Sequence, residues 1–273
     1  MQQATIAFVG GGNMAAAIIG GLLRAGHDPA AIAVVEPAEA ARARLAAEFG
    51  LQAQPAADAR LADASTVVWA VKPQVFAESA VPCAAFVGGA LQLSIMAGVP
   101  SAAIVRASGS ARVVRAMPNT PALIGQGVAG LYARPEVDAG ERAEVERLLA
   151  PTGATLWVAT EADLDAVTAL SGSGPAYVFY LIEAMMRAAR EMGLPEAQGR
   201  TLAQATVAGA AALAAGSPLQ PSELRAQVTS KGGTTHAAIS AMEAAGVGPA
   251  IVAAIRAAQA RARELGEAFG DGD

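Results

Sequence analysis

The 273-residue sequence predicts a doubly wound α/β domain over residues 1–160 and an all-helical domain over residues 161–273. In the first part, short and continuously apolar segments alternate with helical segments. This pattern is typical of a parallel sheet that helices cover on both faces. After Trp157 the strand pattern stops, and segments with helical spacing follow one another to residue 269. The change in pattern places the domain boundary near Thr160.

Five strands are predicted in the first domain, because five short segments are strongly apolar and bounded by turn residues or polar residues. They span residues 5–9, 32–35, 66–71, 91–96 and 112–116. Between them, apolar residues at helical spacing predict helices over residues 15–25 and 38–49, and a further helix over about residues 100–108. Such an alternation predicts crossovers on both faces of one sheet.

Six helices are predicted in the second domain. They span residues 162–170, 175–192, 195–215, 222–228, 235–245 and 249–269. Several of them carry little charge around their circumference, so apolar side chains lie on more than one face. A second copy of the chain is the commonest way to cover such faces. We therefore expect a homodimer, and the sequence leaves open a larger assembly of dimers.

Charge and composition exclude several functional classes. The formal net charge is −5 and no run of Lys and Arg occurs, so nucleic acid is not an expected partner. Cys83 is the single cysteine, and the two histidines, His27 and His236, are far apart, which argues against disulfides and a metal site. No basic residue precedes the first apolar segment, and the Ala-rich residues 205–215 are too short to span a bilayer. We expect a cytoplasmic protein with no metal and no membrane partner.

Residues 10–15, Gly-Gly-Gly-Asn-Met-Ala, have the form G-x-G-x-x-A between the first strand and the first helix. In that setting Gly10 permits a tight turn, Gly12 lets the backbone approach a pyrophosphate, and Ala15 lets the helix pack on the strand. Amides at the helix start, around Asn13 and Met14, bind phosphate because the helix dipole favours anions there. A glycine triplet alone also fits an ordinary loop, but its place in a series of βα units predicts a dinucleotide site.

Glu36 ends the second predicted strand, where dinucleotide folds commonly place an acid on the adenosine ribose. A carboxylate accepts hydrogen bonds from the 2′-hydroxyl of NADH and repels the 2′-phosphate of NADPH, so Glu36 favours NADH. Arg42 and Arg44 follow on the next helix. They either offset this preference or form a solvated helix face.

Polar residues also follow the third and fifth predicted strands, at the sheet edge where ligands bind in open α/β folds. Lys72, in the sequence Ala-Val-Lys-Pro, either orients a ligand or stays in solvent. Asn119 lies between Pro118 and Pro121, which fix the backbone around it. That segment is either a rigid structural turn or part of the site.

Two loops of small residues interrupt the helical domain, namely residues 171–174, Ser-Gly-Ser-Gly, and residues 230–235, Ser-Lys-Gly-Gly-Thr-Thr. Both offer amides and hydroxyls at helix starts, which suit a small carboxylate. Serine or threonine at such a place is also commonly an ordinary cap. The chain shows no phosphate-loop motif and no triad motif, so the chemistry is best assigned to a nicotinamide cofactor.

Taken together, these motifs resemble those of the pyrroline-5-carboxylate reductases. The matching segments are GGGNMA at residues 10–15, AVKP at 70–73, RAMPNTP at 115–121, DAVTALSGSGPAYVF at 165–179 and VTSKGGTTHAAI at 228–239. The resemblance implies a Rossmann-like domain and a helical dimerisation domain. It also implies the reduction of 1-pyrroline-5-carboxylate to L-proline by hydride transfer from NADPH or NADH.

The resemblance, together with the place of Asn119 after the fifth strand, predicts roles for individual residues. The cofactor-binding set is Gly10, Gly12, Asn13, Met14, Ala15, Glu36, Pro37, Val71, Lys72, Ala97, Asn119 and Glu161. The substrate-binding set is Ser171, Gly172, Ser173, Gly174, Thr234 and Thr235. Thr235 is also the expected catalytic residue, because an imine accepts hydride poorly until its nitrogen is protonated or hydrogen-bonded.

Two other functions stay open on the sequence alone. A dehydrogenase of the 3-hydroxyacid or 6-phosphogluconate type shares the two-domain layout, but such proteins carry a catalytic lysine on an early helix of the second domain, and residues 175–192 contain none. A catalytically silent NAD(P)-binding dimer would use the same glycine turn. The presence of both small-residue loops favours a substrate-binding enzyme over the silent dimer.

Overall fold

The computed structural model describes residues 5–270, and its centre is a seven-stranded sheet. The strands are β1 (Ile6–Val9), β2 (Ile32–Val35), β3 (Thr66–Trp69), β4 (Leu91–Ser94), β5 (Val113–Met117), β6 (Gly127–Ala133) and β7 (Gly153–Trp157). Their order across the sheet is β2-β1-β3-β4-β5-β6-β7. The first five strands are parallel, β6 runs antiparallel to β5, and β7 runs parallel to β6.

The five predicted strands are confirmed, with shifts of one or two residues at several ends. The third strand ends at Trp69 rather than at residue 71, and the fourth at Ser94 rather than at residue 96. Strands β6 and β7 were not predicted, and they turn a parallel sheet into a mixed one. The doubly wound character holds, because the parallel part is still built from crossovers.

Helices cover both faces of the sheet. They are α1 (Asn13–Arg24), α2 (Glu39–Phe49), α3 (Phe76–Ala80), α4 (Ala84–Val87), α5 (Ser101–Ser108) and α6 (Ala139–Leu149). Alternate residues of each strand point to opposite faces. Ile6 and Phe8 accordingly join a buried cluster with α1, α2 and α6, whereas Ala7 and Val9 join a second cluster with α3, α4 and α5. Burial on both faces explains why the strands are continuously apolar.

Helix α6 was missed although its start carries a recognisable signal. The Asp138 side chain accepts a hydrogen bond from the Glu141 N–H, and the Glu141 side chain accepts one from the Asp138 N–H. This reciprocal arrangement is a capping box, whose D-x-x-E spacing is visible in the sequence.

The predicted helices of the second half are confirmed. They are α7 (Asp163–Val167), α8 (Gly174–Glu191), α9 (Glu196–Ala215), α10 (Pro221–Gln227), α11 (Thr234–Ala244) and α12 (Val247–Gly270), and a π-helical segment, Thr168–Gly172, follows α7 directly. Among the described residues, contacts divide the chain into one compact unit of residues 5–173 with 258–270 and a second of residues 174–257. The predicted domain boundary near residue 160 stays a prediction.

Between residues 5 and 270, no single helix is both long and apolar enough to cross a membrane; only the bent pair α11 and α12 passes that test, and only when the two are taken together.

Candidate functional site

The candidate site lies at the edge where the five parallel strands end. Parallel strands place their carboxyl ends at the same edge of a sheet, where open α/β folds bind ligands. Backbone hydrogen bonds hold the segments that follow neighbouring strands together: Gly10 N–H donates to Val35 O at 2.8 Å and Ala70 N–H donates to Val9 O at 2.8 Å. The predicted cofactor residues that follow β1 to β5 are thereby brought to this one edge; they include Gly10, Glu36, Val71, Lys72, Ala97 and Asn119.

The turn after β1 requires glycine at its first position. Gly10 has a φ of 102°, and a Cβ on it would lie 2.6 Å from the Ala70 carbonyl oxygen. Gly12 is different: its backbone is extended, and a Cβ there would meet nothing within 4 Å. Ala15 is fully buried beneath the turn. Gly10 therefore allows the tight turn, Gly12 leaves the backbone open to a ligand, and Ala15 lets the helix pack closely on the strand, as the motif predicts.

The start of α1 fits a bound phosphate. No side chain caps this end, and the first turn holds no acidic residue. The positive end of the helix dipole at Asn13 and Met14 thus lies beside the open space at Gly12, with no acidic residue in the first turn of the helix itself. An anionic pyrophosphate matches both the shape and the charge of this cradle.

Glu36 is bound to the glycine turn. Its Oε2 accepts a hydrogen bond from the Gly11 N–H at 2.7 Å, and its Oε1 accepts one from the Ala38 N–H at 2.8 Å. Two backbone donors thus fix the carboxylate at the end of β2, beside the exposed Pro37. The sequence predicted this residue at the ribose, but gave no sign that it also holds the turn.

The two arginines of α2 reach the same region, so neither is merely part of a solvated helix face. Arg42 Nη1 donates to Glu36 O at 3.0 Å and to Pro37 O at 2.7 Å. Arg44 donates to the Asn13 Oδ1 at 2.8 Å and to Gly11 O at 2.9 Å. Arg44 therefore joins the turn to α2 and is a site residue that the sequence left undecided.

The segments after β3 and β4 supply further lining. Lys72 is exposed and immediately precedes a short 3-10 turn, Pro73–Val75, while Val71 and Ala97 are half-buried. This placement suits side chains that border a ligand without filling its space.

Glu161 precedes α7 along the chain, and its side chain reaches the start of α5. Its Oε1 accepts hydrogen bonds from the Ser101 N–H at 2.6 Å and from Arg115 Nη1 at 2.9 Å, and its Oε2 accepts one from the Ser101 hydroxyl at 2.6 Å. The carboxylate therefore joins the first residue of α5 to β5. Sequence reasoning missed Ser101 and Arg115, because neither lies near Glu161 along the chain.

The charge of Glu161 is stabilised by these partners. Burial by itself raises the pKa of the carboxyl, but the hydrogen bonds from Ser101 and the ion pair with Arg115 outweigh it. The pKa of Glu161 therefore lies below its usual value of 4.5.

The Ser-Gly-Ser-Gly segment is mostly helical rather than a loop, which corrects the expectation from the sequence: Ser171 and Gly172 end a π-helical turn, Ser173 is a bend and Gly174 begins α8. It continues α7 as a π-helical turn, in which the Ser173 N–H donates to Thr168 O at 2.8 Å and the Ser171 hydroxyl donates to Val167 O at 2.9 Å. Single π-turns inside helices are frequent at functional sites. Ser171, Gly172, Ser173 and Gly174 are all half-buried.

Thr234 and Thr235 begin α11 in the second compact unit. The residue that caps the helix is Gly233, and no side chain makes a capping hydrogen bond there. The threonine hydroxyls are therefore not used as ordinary caps. Thr235 is half-buried and Thr234 is exposed.

Two family models match the chain. Residues 5–98 match the model described as NADP oxidoreductase coenzyme F420-dependent, and residues 161–265 match the model described as pyrroline-5-carboxylate reductase dimerisation. The two matches cover the glycine turn and the small-residue segments respectively.

Similar proteins span the whole chain. A pyrroline-5-carboxylate reductase of Pseudomonas aeruginosa is 43% identical over 99% of this chain and 100% of its own length. The structure of a pyrroline-5-carboxylate reductase from Coxiella burnetii superposes with a TM-score of 0.89 at 35% identity, covering 97% of this chain and 99% of that one. A Plasmodium falciparum pyrroline carboxylate reductase crystallised with NADP bound shares the fold, with a TM-score of 0.86 at 24% identity and coverage of 97% and 99%.

The Glu161 carboxylate makes the stability of the fold depend on pH. Because its pKa is lowered in the folded chain, its contribution is complete above the usual value of 4.5 and is lost as the pH falls through the lower folded value. We expect Glu161→Gln to lower the free energy of unfolding by about 2 kcal/mol near neutral pH, since an amide cannot accept all of these hydrogen bonds. Urea unfolding at one protein concentration measures this.

The deficit of Glu161→Gln should shrink when the same titration is repeated well below the usual carboxyl pKa. Glu48→Gln, at an exposed position of α2, is the matched control and should change stability by less than about 0.5 kcal/mol at either pH. A deficit that is equal at both pH values would contradict the assigned role of the Glu161 charge.

Proposed function

The chain belongs to the pyrroline-5-carboxylate reductase family, and we propose from this how its own residues bind the cofactor and substrate and assist the reaction. It is an NAD(P)H-dependent oxidoreductase that reduces 1-pyrroline-5-carboxylate to L-proline. When bound, the nicotinamide supplies the hydride. The observation that carries the assignment of residues is the uncapped start of α1 beside the open space at Gly12.

The cofactor half of the site is proposed to follow the sheet edge. Amides of Gly12 and of the first turn of α1 would take the pyrophosphate, with Glu36 and Pro37 beside the adenosine ribose. Val71, Lys72 and Ala97 would border the cofactor further along the edge. The hydrogen bonds of Glu36 and Arg44 to Gly11 support this, because they fix the turn before any ligand arrives.

The substrate carboxylate is proposed to bind the segment Ser171–Gly174, at the junction of the π-turn and α8, where four small and half-buried residues follow one another. Glycine at position 172 lets this segment pack closely on the end of β5, since a Cβ there would lie 2.6 Å from the Met117 Cε.

Thr235 is proposed to hydrogen-bond the ring nitrogen of the imine. The nitrogen gains electron density as the adjacent carbon accepts hydride, so a donor at this atom acts where the charge changes most. The hydroxyl at the start of α11 is not used in a cap, which leaves it for a ligand. Thr234 precedes it on the same helix end and is proposed to contact the substrate as well.

The carboxy-terminal helices carry the dimerisation domain of the family. Large apolar side chains of these helices are exposed in the single chain; among them are Phe179, Tyr180, Leu202, Leu213, Ile251 and Val252. Apolar patches of this kind mark protein interfaces. We propose that a homodimer covers them, that dimers associate further, and that the protein works in the cytoplasm, where its single cysteine, the buried Cys83, stays reduced.

Gly10 and Gly12 offer a matched pair of substitutions for the cofactor site. Gly12→Ala should raise the KM for NADH and NADPH about tenfold, because the new methyl group occupies the open approach to the backbone. It should cost less than about 1 kcal/mol of stability. Gly10→Ala should instead destabilise the fold by about 3 kcal/mol, because its φ is positive and its Cβ meets the Ala70 carbonyl.

Steady-state kinetics and thermal unfolding of both glycine variants separate the two effects. Unchanged cofactor KM values in a folded Gly12→Ala protein would place the pyrophosphate elsewhere.

The charge of Glu36 is expected to favour NADH. Because Gly11 and Ala38 hold its carboxylate in place, it cannot turn away from a 2′-phosphate. Glu36→Gln should raise the ratio of kcat/KM for NADPH to that for NADH about fivefold, which corresponds to roughly 1 kcal/mol of charge repulsion. A wild-type enzyme that clearly prefers NADPH would contradict this expectation.

Removal of the Thr235 hydroxyl tests the proposed hydrogen bond to the imine nitrogen. Thr235→Ala should lower kcat about a hundredfold while the KM for the cofactor changes less than about twofold. Thr235→Ser, which keeps the hydroxyl, should retain most of the rate. Loss of nicotinamide absorbance with 1-pyrroline-5-carboxylate is the measurement, and an unchanged kcat in Thr235→Ala would remove this residue from the mechanism.

A further inference from the structure

Asn119 is held inside the protein, next to the proposed substrate turn. It follows β5 between Pro118 and Pro121, and only 9% of it is exposed. Its Oδ1 accepts a hydrogen bond from the Val128 N–H at 3.0 Å, and its Nδ2 donates one to the Ser171 carbonyl oxygen at 3.2 Å. Both polar ends of the side chain are therefore used within the chain.

The orientation of this amide is fixed by its partners. Val128 presents a donor, so it needs the side-chain oxygen, and the Ser171 carbonyl accepts, so it needs the side-chain NH₂ group. Neither contact would survive a flipped amide. Asn119 thus connects β6 to Ser171, which lies 52 positions after Asn119 in the sequence.

The Ser171 carbonyl has a particular need for such a donor. In an α-helical register its partner would be the N–H of residue 175, but residue 175 is proline and has no N–H. A half-buried carbonyl left without a donor is unfavourable. The Asn119 NH₂ group supplies the hydrogen bond that Pro175 cannot provide.

Met117, two residues before Asn119, fixes the same turn through packing. Its terminal methyl group packs so closely on Gly172 that a Cβ at residue 172 would lie 2.6 Å away. The end of β5 therefore holds the turn twice, by a hydrogen bond to Ser171 and by a packing contact with Gly172.

We propose that Asn119 is a positioning residue for the substrate. Its side-chain NH₂ group fixes the position of the Ser171–Ser173 backbone and thereby the affinity for the carboxylate of the imine substrate. This deepens the proposed function and rests on the proposal that this turn binds the substrate. It assigns Asn119 to the substrate side of the site, in place of the cofactor-binding role expected from the sequence.

Asn119→Asp isolates the hydrogen bond to Ser171. The carboxylate keeps an oxygen for the Val128 N–H but turns a second oxygen, in place of the NH₂ group, towards the Ser171 carbonyl. The KM for 1-pyrroline-5-carboxylate should rise about tenfold, and the KM for NADH or NADPH should change less than about twofold. Asn119→Gln, which keeps both groups but is longer, carries the same expectation should the aspartate variant fail to fold.

The other asparagine of the chain, Asn13, provides the matched comparison. The same change there, Asn13→Asp, places a negative charge at the proposed pyrophosphate cradle and should raise the KM for the cofactor instead. A rise in the cofactor KM for Asn119→Asp, equal rises for both ligands, or no change in either would each overturn the proposal. A wild-type protein that fails to reduce the imine at all would contradict the assigned reaction, which is a separate result.

Discussion

Five parallel strands must end at the same edge of the sheet, and the functional arrangement of this protein depends on that constraint. Each strand ends in a short segment that carries one component of the site, from the glycine turn after β1 to the Asn119 segment after β5. The constraint also restricts the backbone. Gly10 adopts a positive φ, and a Cβ on it would meet the Ala70 carbonyl, so the turn after β1 needs glycine for both reasons.

Three polar side chains join segments that are far apart in the sequence, and each helps to shape the site before a ligand binds. Glu36 fixes the glycine turn, Glu161 joins α5 to β5, and Asn119 supports the π-turn of the substrate segment. None of these side chains is free to move to a ligand without breaking an internal hydrogen bond. A site held in this way loses less conformational entropy on binding, which favours affinity and orientation.

Much of the fold could be predicted because burial on both sheet faces imposes a simple pattern. β1 to β5 are short apolar segments, and their limits were correct to within a few residues. β6 was missed because Gly127 and Gly130 weaken its pattern, yet glycine is required there: a Cβ at Gly130 would lie 2.7 Å from Val167. The Ser-Gly-Ser-Gly segment was predicted as a loop, since small residues and a following proline signal a turn, whereas Ser171 and Gly172 in fact end a π-turn that only backbone hydrogen bonds reveal.

The sequence by itself determined the fold class, the phosphate motif and the family, because these depend on local periodicity and on short motifs whose residues are neighbours. Tertiary structure alone decided what the polar side chains do. Glu161 and Ser101 are 60 positions apart, and only the folded sheet brings the serine hydroxyl within 2.6 Å of the carboxylate. The same holds for Asn119 and Ser171, whose hydrogen bond answers a carbonyl that Pro175 leaves without its helical donor. Partners of this kind are set by packing in three dimensions, which no local pattern of residues encodes.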